Sequence, residues 1–531
     1  MHSSLAAGAP LELAKAGEPR RVSLGTATPK AGGRGELRDV LWPLAGWGAF
    51  PNWVLVLFGI LDMVIRLAAL GIVPGNRRPT TAMAWLLAIF LIPLVGLPLF
   101  LMFGSYKLSS RRLRQQAEIN QKVLEATREL KEPRSAMEAP TWVHSAAELN
   151  RTLGSFPVLD GNTVQLFADY RASIAAMTEA VRQAREYVNV EFYIMAKDEV
   201  TDELFEALQE AARRGVTVRL LFDHIGTLRV AGYRKFLRWL KQSGIQWHRM
   251  LPIFPVRGQW RRVDLRNHRK ILVVDGHVAF TGSQNLIEPG YLRASSRRTG
   301  RGWVELMARL EGPIVTALNV VFATDWYSET DELLAHELFT PSSVTESGPM
   351  TCQVVPSGPG FEAENNLRLF NTLIYSAVER LSVCSPYFVP DDSLLYAITT
   401  AAQRGVDVEL FVSEQGDQFL VHHAQRSYYQ ALLQAGVRIY LYPKPMVLHA
   451  KFLTVDGYVG VLGSSNLDMR SFSLNLEVSL MMLGDDIVPR LLEIADSYRK
   501  VSRELTLDEW ARRPRGERYI DNVCRLTATL Q

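Results

Sequence analysis

Cysteine is scarce: Cys352, Cys384 and Cys524 are the only three in 531 residues. They stand far apart, without metal-ligand spacing. That argues against a disulfide framework, a zinc site and a cysteine nucleophile. A Walker-type glycine–lysine loop and a dinucleotide fingerprint are also missing, so nothing points to chemistry driven by a nucleotide. Charge of one sign is not in excess. Lys and Arg number 59 against 55 Asp and Glu, a net of +4, and this mild basicity identifies no partner by itself. Residues 1–40 lack an apolar core after Arg20-Arg21 and are rich in Ala, Gly, Ser and Pro. They read as a disordered tail rather than a cleaved signal peptide.

What the chain does have is a string that occurs twice. The first copy is His268-x-Lys270-x4-Asp275-x6-Gly282-Ser283-x-Asn285. The second is His449-x-Lys451-x4-Asp456-x6-Gly463-Ser464-x-Asn466, with the same internal spacing. Residues two apart on a strand share a face, so each His points the same way as its Lys. The apolar run that follows each Lys is a strand, and Asp-Gly is a hairpin turn. The return strand then carries Ser283 and Asn285, or Ser464 and Asn466, back beside its histidine. Histidine can attack or carry protons near neutral pH. Lysine, serine and asparagine can hold phosphoryl oxygens. Two such sets suit a phosphodiester, with one histidine attacking and the other protonating the leaving alkoxide. Two lysines supply the positive charge, so neither metal nor cofactor is expected. Asp275 and Asp456 complete the candidate catalytic set, although their turn positions favour capping and positioning of backbone.

The duplicated string resembles the HKD motif of the phospholipase D superfamily, and its surroundings are similar to those of bacterial cardiolipin synthases. The similar stretches include Arg266 to Lys270, Asp325-Trp326, Ser385 to Pro390 and Ser464 to Phe472. The resemblance covers about residues 41–531. It implies that a glutamate downstream of each Gly-Ser-x-Asn orients a catalytic histidine. Glu477 fits in the second half. In the first half Glu305 is the candidate, with Glu288 as its rival.

Ala82 to Gly104 holds no charged residue and is long enough to span a bilayer. Trp42 to Pro74 is also apolar but is interrupted by Asp62 and Arg66, which are placed to pair on one helical face. The two segments read as a transmembrane helical hairpin over residues 41–104, followed by a charged helical linker over 105–149 that acts as a solvated spacer. Positive charge after the second segment places the termini and the catalytic part in the cytoplasm. From residue 150 the two halves run in parallel. Each has an apolar strand, then a helix, then Arg-Gly-Val-x-Val: Arg214 to Val218 and Arg404 to Val408. The expected fold is α/β: two tandem phospholipase D-like domains, 150–345 and 346–531. Each is a mixed sheet flanked by helices, related by a pseudo-twofold axis with the site between them.

The halves differ in charge. From Arg229 to Arg266 the first half carries ten Arg or Lys residues, with Trp239, Trp247, Phe254 and Trp260. This predicts a basic, aromatic rim with an apolar tip at Leu251 to Pro255 that dips into lipid. The resemblance implies a phosphatidyltransferase of the bacterial inner membrane. Phosphatidylglycerol would be its substrate and cardiolipin its product, with no nucleic acid partner. A hydrolase of the same superfamily is the alternative, and the acceptor and oligomeric state stay open.

Overall fold

The computed structural model describes residues 51–75, 77, 79–104, 108–128, 139–253, 264–334, 347–361, 364–484 and 486–528. The tail 1–40, the start of the first apolar segment, Arg78, Lys107, Phe254 and the arginine-rich stretch to Arg262 lie outside them. The chain divides into two compact units with the boundary between Ile72 and Val73.

The first unit contains the helix Asn52–Ile72, where Asp62 and Arg66 pair at 2.7 Å as their spacing predicts. The second contains everything from Val73 onward. Its sheet reads outward in the same order from a central antiparallel pair, Leu159–Phe167 with Met350–Ser357. On one side follow Met307–Glu311, Val278–Gly282, Lys270–Val274, Tyr187–Phe192, Thr217–Asp223 and Gln246–Met250. On the other follow Asn475–Leu483, Val459–Gly463, Phe452–Val455, Arg380–Cys384, Asp407–Ser413 and Arg438–Tyr442. Two mixed sheets thus join edge to edge, and the repeat read from the sequence is a repeat of strand order. The helices Asp202–Arg213 and Asp392–Gln403 both stop where predicted, at Gly215 (φ +90°) and Gly405 (φ +94°). Glycine adopts that left-handed turn without a steric cost.

One apolar core belongs to both halves. It takes Ile271, Leu310 and Val315 from the first and Phe452, Leu480 and Leu491 from the second. Two further cores lie under the outer helices of each half. Residues expected as a spacer are built into this body. On the helix Ser110–Ala126, Arg112, Gln115, Ile119 and Val123 are buried. Arg112 forms a buried ion pair with Glu329, and Gln115 donates to Asp331 at 3.1 Å. The helix Thr141–Gly154 sends Val143, Ala146 and Ala147 into the core of the second half. The two described linker helices therefore pack on the sheet body, because one face of each is apolar.

The second apolar segment also departs from expectation. It is two helices, Pro79–Leu91 and Pro93–Phe103, not one. Pro93 lacks an N–H, and its ring pushes the preceding residue out of helical geometry; Ile92 sits at φ −137°, ψ 72°. Gly96 permits the sharp reversal, since a Cβ there would strike the Ala88 carbonyl. Among the described residues no helix is long and apolar enough to cross a membrane. The transmembrane hairpin expected over 41–104 is thus not shown by the described residues, and residues 41–50 of it lie outside them.

The two motif aspartates sit on the hairpin turns, with φ +51° at Asp275 and +49° at Asp456. Asp275 accepts the backbone N–H groups of Arg185, Glu186 and Tyr187, each at 2.8 Å. Asp456 does the same for Val378, Glu379 and Arg380, at 2.8 to 3.2 Å. Each ties its hairpin to the start of the neighbouring strand, and neither is shown in contact with a histidine or lysine of the motif. The catalytic label is corrected to a capping one. Asp275→Gly keeps the left-handed turn and removes the carboxylate. It should lower unfolding stability by about 1–2 kcal/mol in urea titrations, with the Michaelis constant of the folded fraction unchanged. Lost turnover at unchanged stability would return Asp275 to the chemistry.

Candidate active site

Both His-x-Lys strings cross to the opposite half. Arg266–Asn267 runs parallel to the strand of the second half, pairing with Asn475 and Leu476, and the His268 N–H then donates to the Leu476 carbonyl at 2.8 Å. In mirror fashion Val447–Leu448 runs parallel to Trp303–Val304, and the His449 N–H donates to the Val304 carbonyl at 2.7 Å. On each receiving strand the next residue is a glutamate. His268 Nδ1 lies 2.9 Å from Glu477 Oε2, and His449 Nδ1 lies 2.8 and 2.9 Å from the two oxygens of Glu305. The glutamates expected beside the histidines are in contact with them, but they are exchanged between halves. Glu288 accepts instead from Gly290 N and Leu292 N, shaping its own loop.

The hydrogen bonds decide the tautomer. His268 Nδ1 also faces the Ser464 carbonyl at 3.1 Å. A carbonyl only accepts, so Nδ1 carries the hydrogen and leaves the Nε2 lone pair free. Burial pulls His268 down to about 4, against the opposing pull of Glu477, and lowers His449 too. Both imidazoles are therefore neutral near pH 7, the form that attacks. Burial pushes Glu477 up, but His268, Lys270 and Ser464 outweigh it and hold the carboxylate below its usual range.

The lysines are fully buried with the histidines. Lys270 Nζ donates to the His268 carbonyl at 2.5 Å, and Lys451 Nζ to the His449 carbonyl at 2.7 Å. Burial lowers Lys270 to about 7 and Lys451 to about 8. The serines differ from expectation. Ser283 donates to Glu305 Oε2 at 2.6 Å and Ser464 to Glu477 Oε2 at 2.5 Å. They fix the glutamates and have no hydrogen left for a phosphoryl oxygen. The glycine before each serine is needed for this approach: a Cβ on Gly282 or Gly463 would strike the carbonyl of Leu306 or Val478. The asparagines are unequal. Asn285 accepts from Ile194 N (3.2 Å) and donates to the Tyr291 hydroxyl (2.8 Å), whereas the Asn466 side-chain oxygen is buried with no partner.

Several contacts were not read from the sequence. Tyr193 packs edge-on to His268 with centroids 5.0 Å apart, and Tyr387 does the same to His449 at 6.2 Å. The available signal was an aromatic just past the strands Tyr187–Phe192 and Arg380–Cys384. Tyr291, held at φ +57° against Trp303 (4.6 Å), had no such signal. Arg269 was passed over inside the motif. It is 1% exposed, pairs with Asp325 and donates to the Glu477 carbonyl at 3.0 Å. The basic, aromatic rim is partly corrected. Trp239 and Trp247 pack inward on Phe205 and Phe222, Leu251 is buried, and Arg266 is paired with Asp223 at 3.0 Å. Apolar burial outcompetes the interfacial role at those positions.

Comparison with known proteins matches the chain to one family. The family described as "Cardiolipin synthase, PLD-like domain" matches residues 177–326 and 370–499, and "Phospholipase_D-nuclease N-terminal" matches 53–105. Cardiolipin synthase A of Proteus mirabilis is 35% identical over 496 residues, 91% of this chain and 98% of that protein. Cardiolipin synthase A of Serratia proteamaculans is 36% identical over 483 residues, 89% of this chain and 97% of that protein. The crystal structure of phosphatidylserine synthase from Haemophilus influenzae shares the fold. It superposes with a TM-score of 0.55 at 15% identity, over 72% of this chain and 99% of that one.

Two measurements probe the site. Glu477→Gln replaces an acceptor of the His268 Nδ1 hydrogen by a group that also donates, which upsets the tautomer. Turnover should fall by about 10²- to 10⁴-fold with the circular dichroism spectrum unchanged; a loss under threefold would contradict the assignment. Sulfate keeps its charge across neutral pH and reports on the lysines. Below pH 7 both are protonated; as pH rises through about 7 and then about 8 they lose charge. Sulfate affinity by calorimetry should therefore fall between pH 6.5 and 9. Affinity that is flat or rising over that range would contradict a role for the lysines in holding the anion.

Proposed function

The chain belongs to the cardiolipin synthase family of phospholipase D-like proteins, and from that membership we propose that it is a phosphatidyltransferase joining two phosphatidylglycerol molecules into cardiolipin. The observation that carries this reading is the pair of buried histidines, each with Nδ1 on a glutamate of the opposite half and each beside a lysine.

His268 Nε2 attacks the phosphorus of one phosphatidylglycerol. The phosphorus–oxygen bond to the terminal glycerol breaks, and His449 gives a proton to the departing oxygen. Burial opposes protonation of His449, but the arriving phosphodiester anion favours it. The product of this step is a phosphatidyl-histidine and free glycerol. A second phosphatidylglycerol then yields its hydroxyl proton to His449, and its oxygen attacks phosphorus. The phosphorus–nitrogen bond breaks, His268 is restored and cardiolipin leaves. Lys270, Lys451 and Asn466 hold the phosphoryl oxygens. Asn285 acts on them through the Tyr291 hydroxyl that it holds. No nucleotide enters, because one phosphodiester replaces another.

The reaction belongs at a bacterial membrane, and the positive charge after the second apolar segment supports a catalytic body on the cytoplasmic side. The purified full chain, incubated without added metal with phosphatidylglycerol vesicles, should release cardiolipin and glycerol in equal amounts by mass spectrometry. His268→Ala and His449→Ala should each abolish both. Phosphatidic acid as the main product would make the protein a hydrolase, and substantial turnover in either variant would refute the two-histidine route.

A further inference from the structure

We propose that residues 79–103 form a re-entrant hairpin that enters one leaflet of a lipid bilayer and returns to the catalytic side without crossing it. The helices Pro79–Leu91 and Pro93–Phe103 have 13 and 11 residues. At about 1.5 Å per residue they reach roughly 20 and 16 Å, short of the roughly 30 Å of a hydrocarbon core. They lie against each other instead of end to end. The Trp85 and Phe100 rings meet edge-on at 5.6 Å. At the base, Arg77 donates from Nε to the Gly104 carbonyl at 3.1 Å and from Nη1 to the Val73 carbonyl at 2.8 Å, with its guanidinium 4.9 Å from the Phe100 ring. One arginine thus ties the start of the hairpin to its end.

The occupant of the surrounding space is lipid. No charged residue lies between Pro79 and Phe103. Leu91 (76%), Ile92 (59%) and Leu94 (83%) are exposed at the turn, as are Met83, Leu87 and Leu101 along the flanks. A protein partner's site would carry a polar rim around an apolar centre, and this tip has none. Backbone in hydrocarbon needs hydrogen-bond partners, and three N–H groups at the break have them. Ile92 N donates to Ala88 O at 3.1 Å, Val95 N and Gly96 N donate to Ile92 O at 3.0 and 2.7 Å, and Pro93 has no N–H to satisfy. The hairpin also ends close to the chemistry. Leu108 packs on the cluster of Leu251, Trp326 and Leu476, and the Leu476 carbonyl receives the His268 N–H. A leaflet holding the tip is therefore held near the site where a phospholipid headgroup would react.

The test reads side and depth, not turnover, so its failure leaves the phosphatidyl transfer standing. The full chain is reconstituted into vesicles of phosphatidylethanolamine and phosphatidylglycerol, checked by flotation, and treated from outside with a membrane-impermeant maleimide. The three native cysteines are buried, and the parent protein gives the blank. In the double variant Thr80→Cys/Ser109→Cys the two thiols flank the hairpin. Whatever the insertion orientation, each molecule should gain two labels or none by intact mass. Molecules with a single label would mean that the segment crosses, and would overturn the proposal. Leu94→Cys should stay unlabelled in intact vesicles and react after dissolution in dodecyl sulfate. Labelling of intact vesicles would put the tip in water and equally overturn it. Leu91→Cys repeats the depth measurement if Leu94→Cys does not incorporate.

Discussion

Two short parallel pairings across the halves hold the active site together: Arg266–Asn267 on Asn475–Leu476, and Val447–Leu448 on Trp303–Val304. Each is only two residues long, yet each delivers a histidine backbone N–H to the carbonyl just before a glutamate. The pairing fixes the register, and a slip by one residue would turn the glutamate to the other face of its strand. The motif of either half therefore has no oriented histidine until the other half is folded against it. This is the physical reason for one core that draws on both halves, and for a central strand pair that joins their sheets edge to edge. Independent motion of the halves would break the two His–Glu contacts at once.

Burial then sets the chemistry. His268, Lys270, His449, Lys451, Glu305 and Glu477 are all buried, where charge is costly unless paired. The glutamates answer the lysines in number, and the histidines settle as neutral. Burial depresses the lysines: among the described residues their ammonium groups donate to backbone carbonyls, and a negative charge in direct contact is what they lack. A phosphodiester supplies that charge, and its arrival raises the lysine affinities for protons. Binding and electrostatic completion of the site are the same event.

Much of this was legible in the sequence. The doubled spacing marked His268, Lys270, His449 and Lys451. Asp-Gly marked the turns, and Arg-Gly-Val-x-Val marked the helix stops, because each of those features depends on residues close together in the chain. The exchange of glutamates was not legible, since His268 and Glu477 are 209 residues apart and His449 and Glu305 are 144 apart. Local pattern carries no record of which half a strand leans on. Ser283 and Ser464 were misread for a related reason: a hydroxyl suits phosphate and carboxylate equally, and only the fold shows which is nearer. The spacer helix was misread because the charges of Arg111 and Arg112 suggested solvent. Arg111 does stay exposed, but Arg112 is buried against Glu329 on a distant helix. Pro93 and Gly96 were visible in the second apolar segment, but hydropathy averaged over the window hid the break they impose.

The two copies of the motif are equivalent in their His–Glu geometry and unequal in what braces it. The residue between His268 and Lys270 is Arg269, which reaches Asp325 and the Glu477 carbonyl; between His449 and Lys451 it is Ala450. The Asn285 amide is engaged by Ile194 N and Tyr291, while the Asn466 oxygen is left open. A symmetric site would treat an attacked phosphorus and a departing alcohol alike. Here the His268 side is cross-braced to its glutamate's own backbone, which suits a nitrogen that must hold its position through bond formation. The His449 side lacks that brace, which suits a group that exchanges a proton with two different alcohols in turn. The asymmetry is set by single residues within an otherwise repeated frame, so a duplicated fold can keep its symmetry while its two histidines take different tasks.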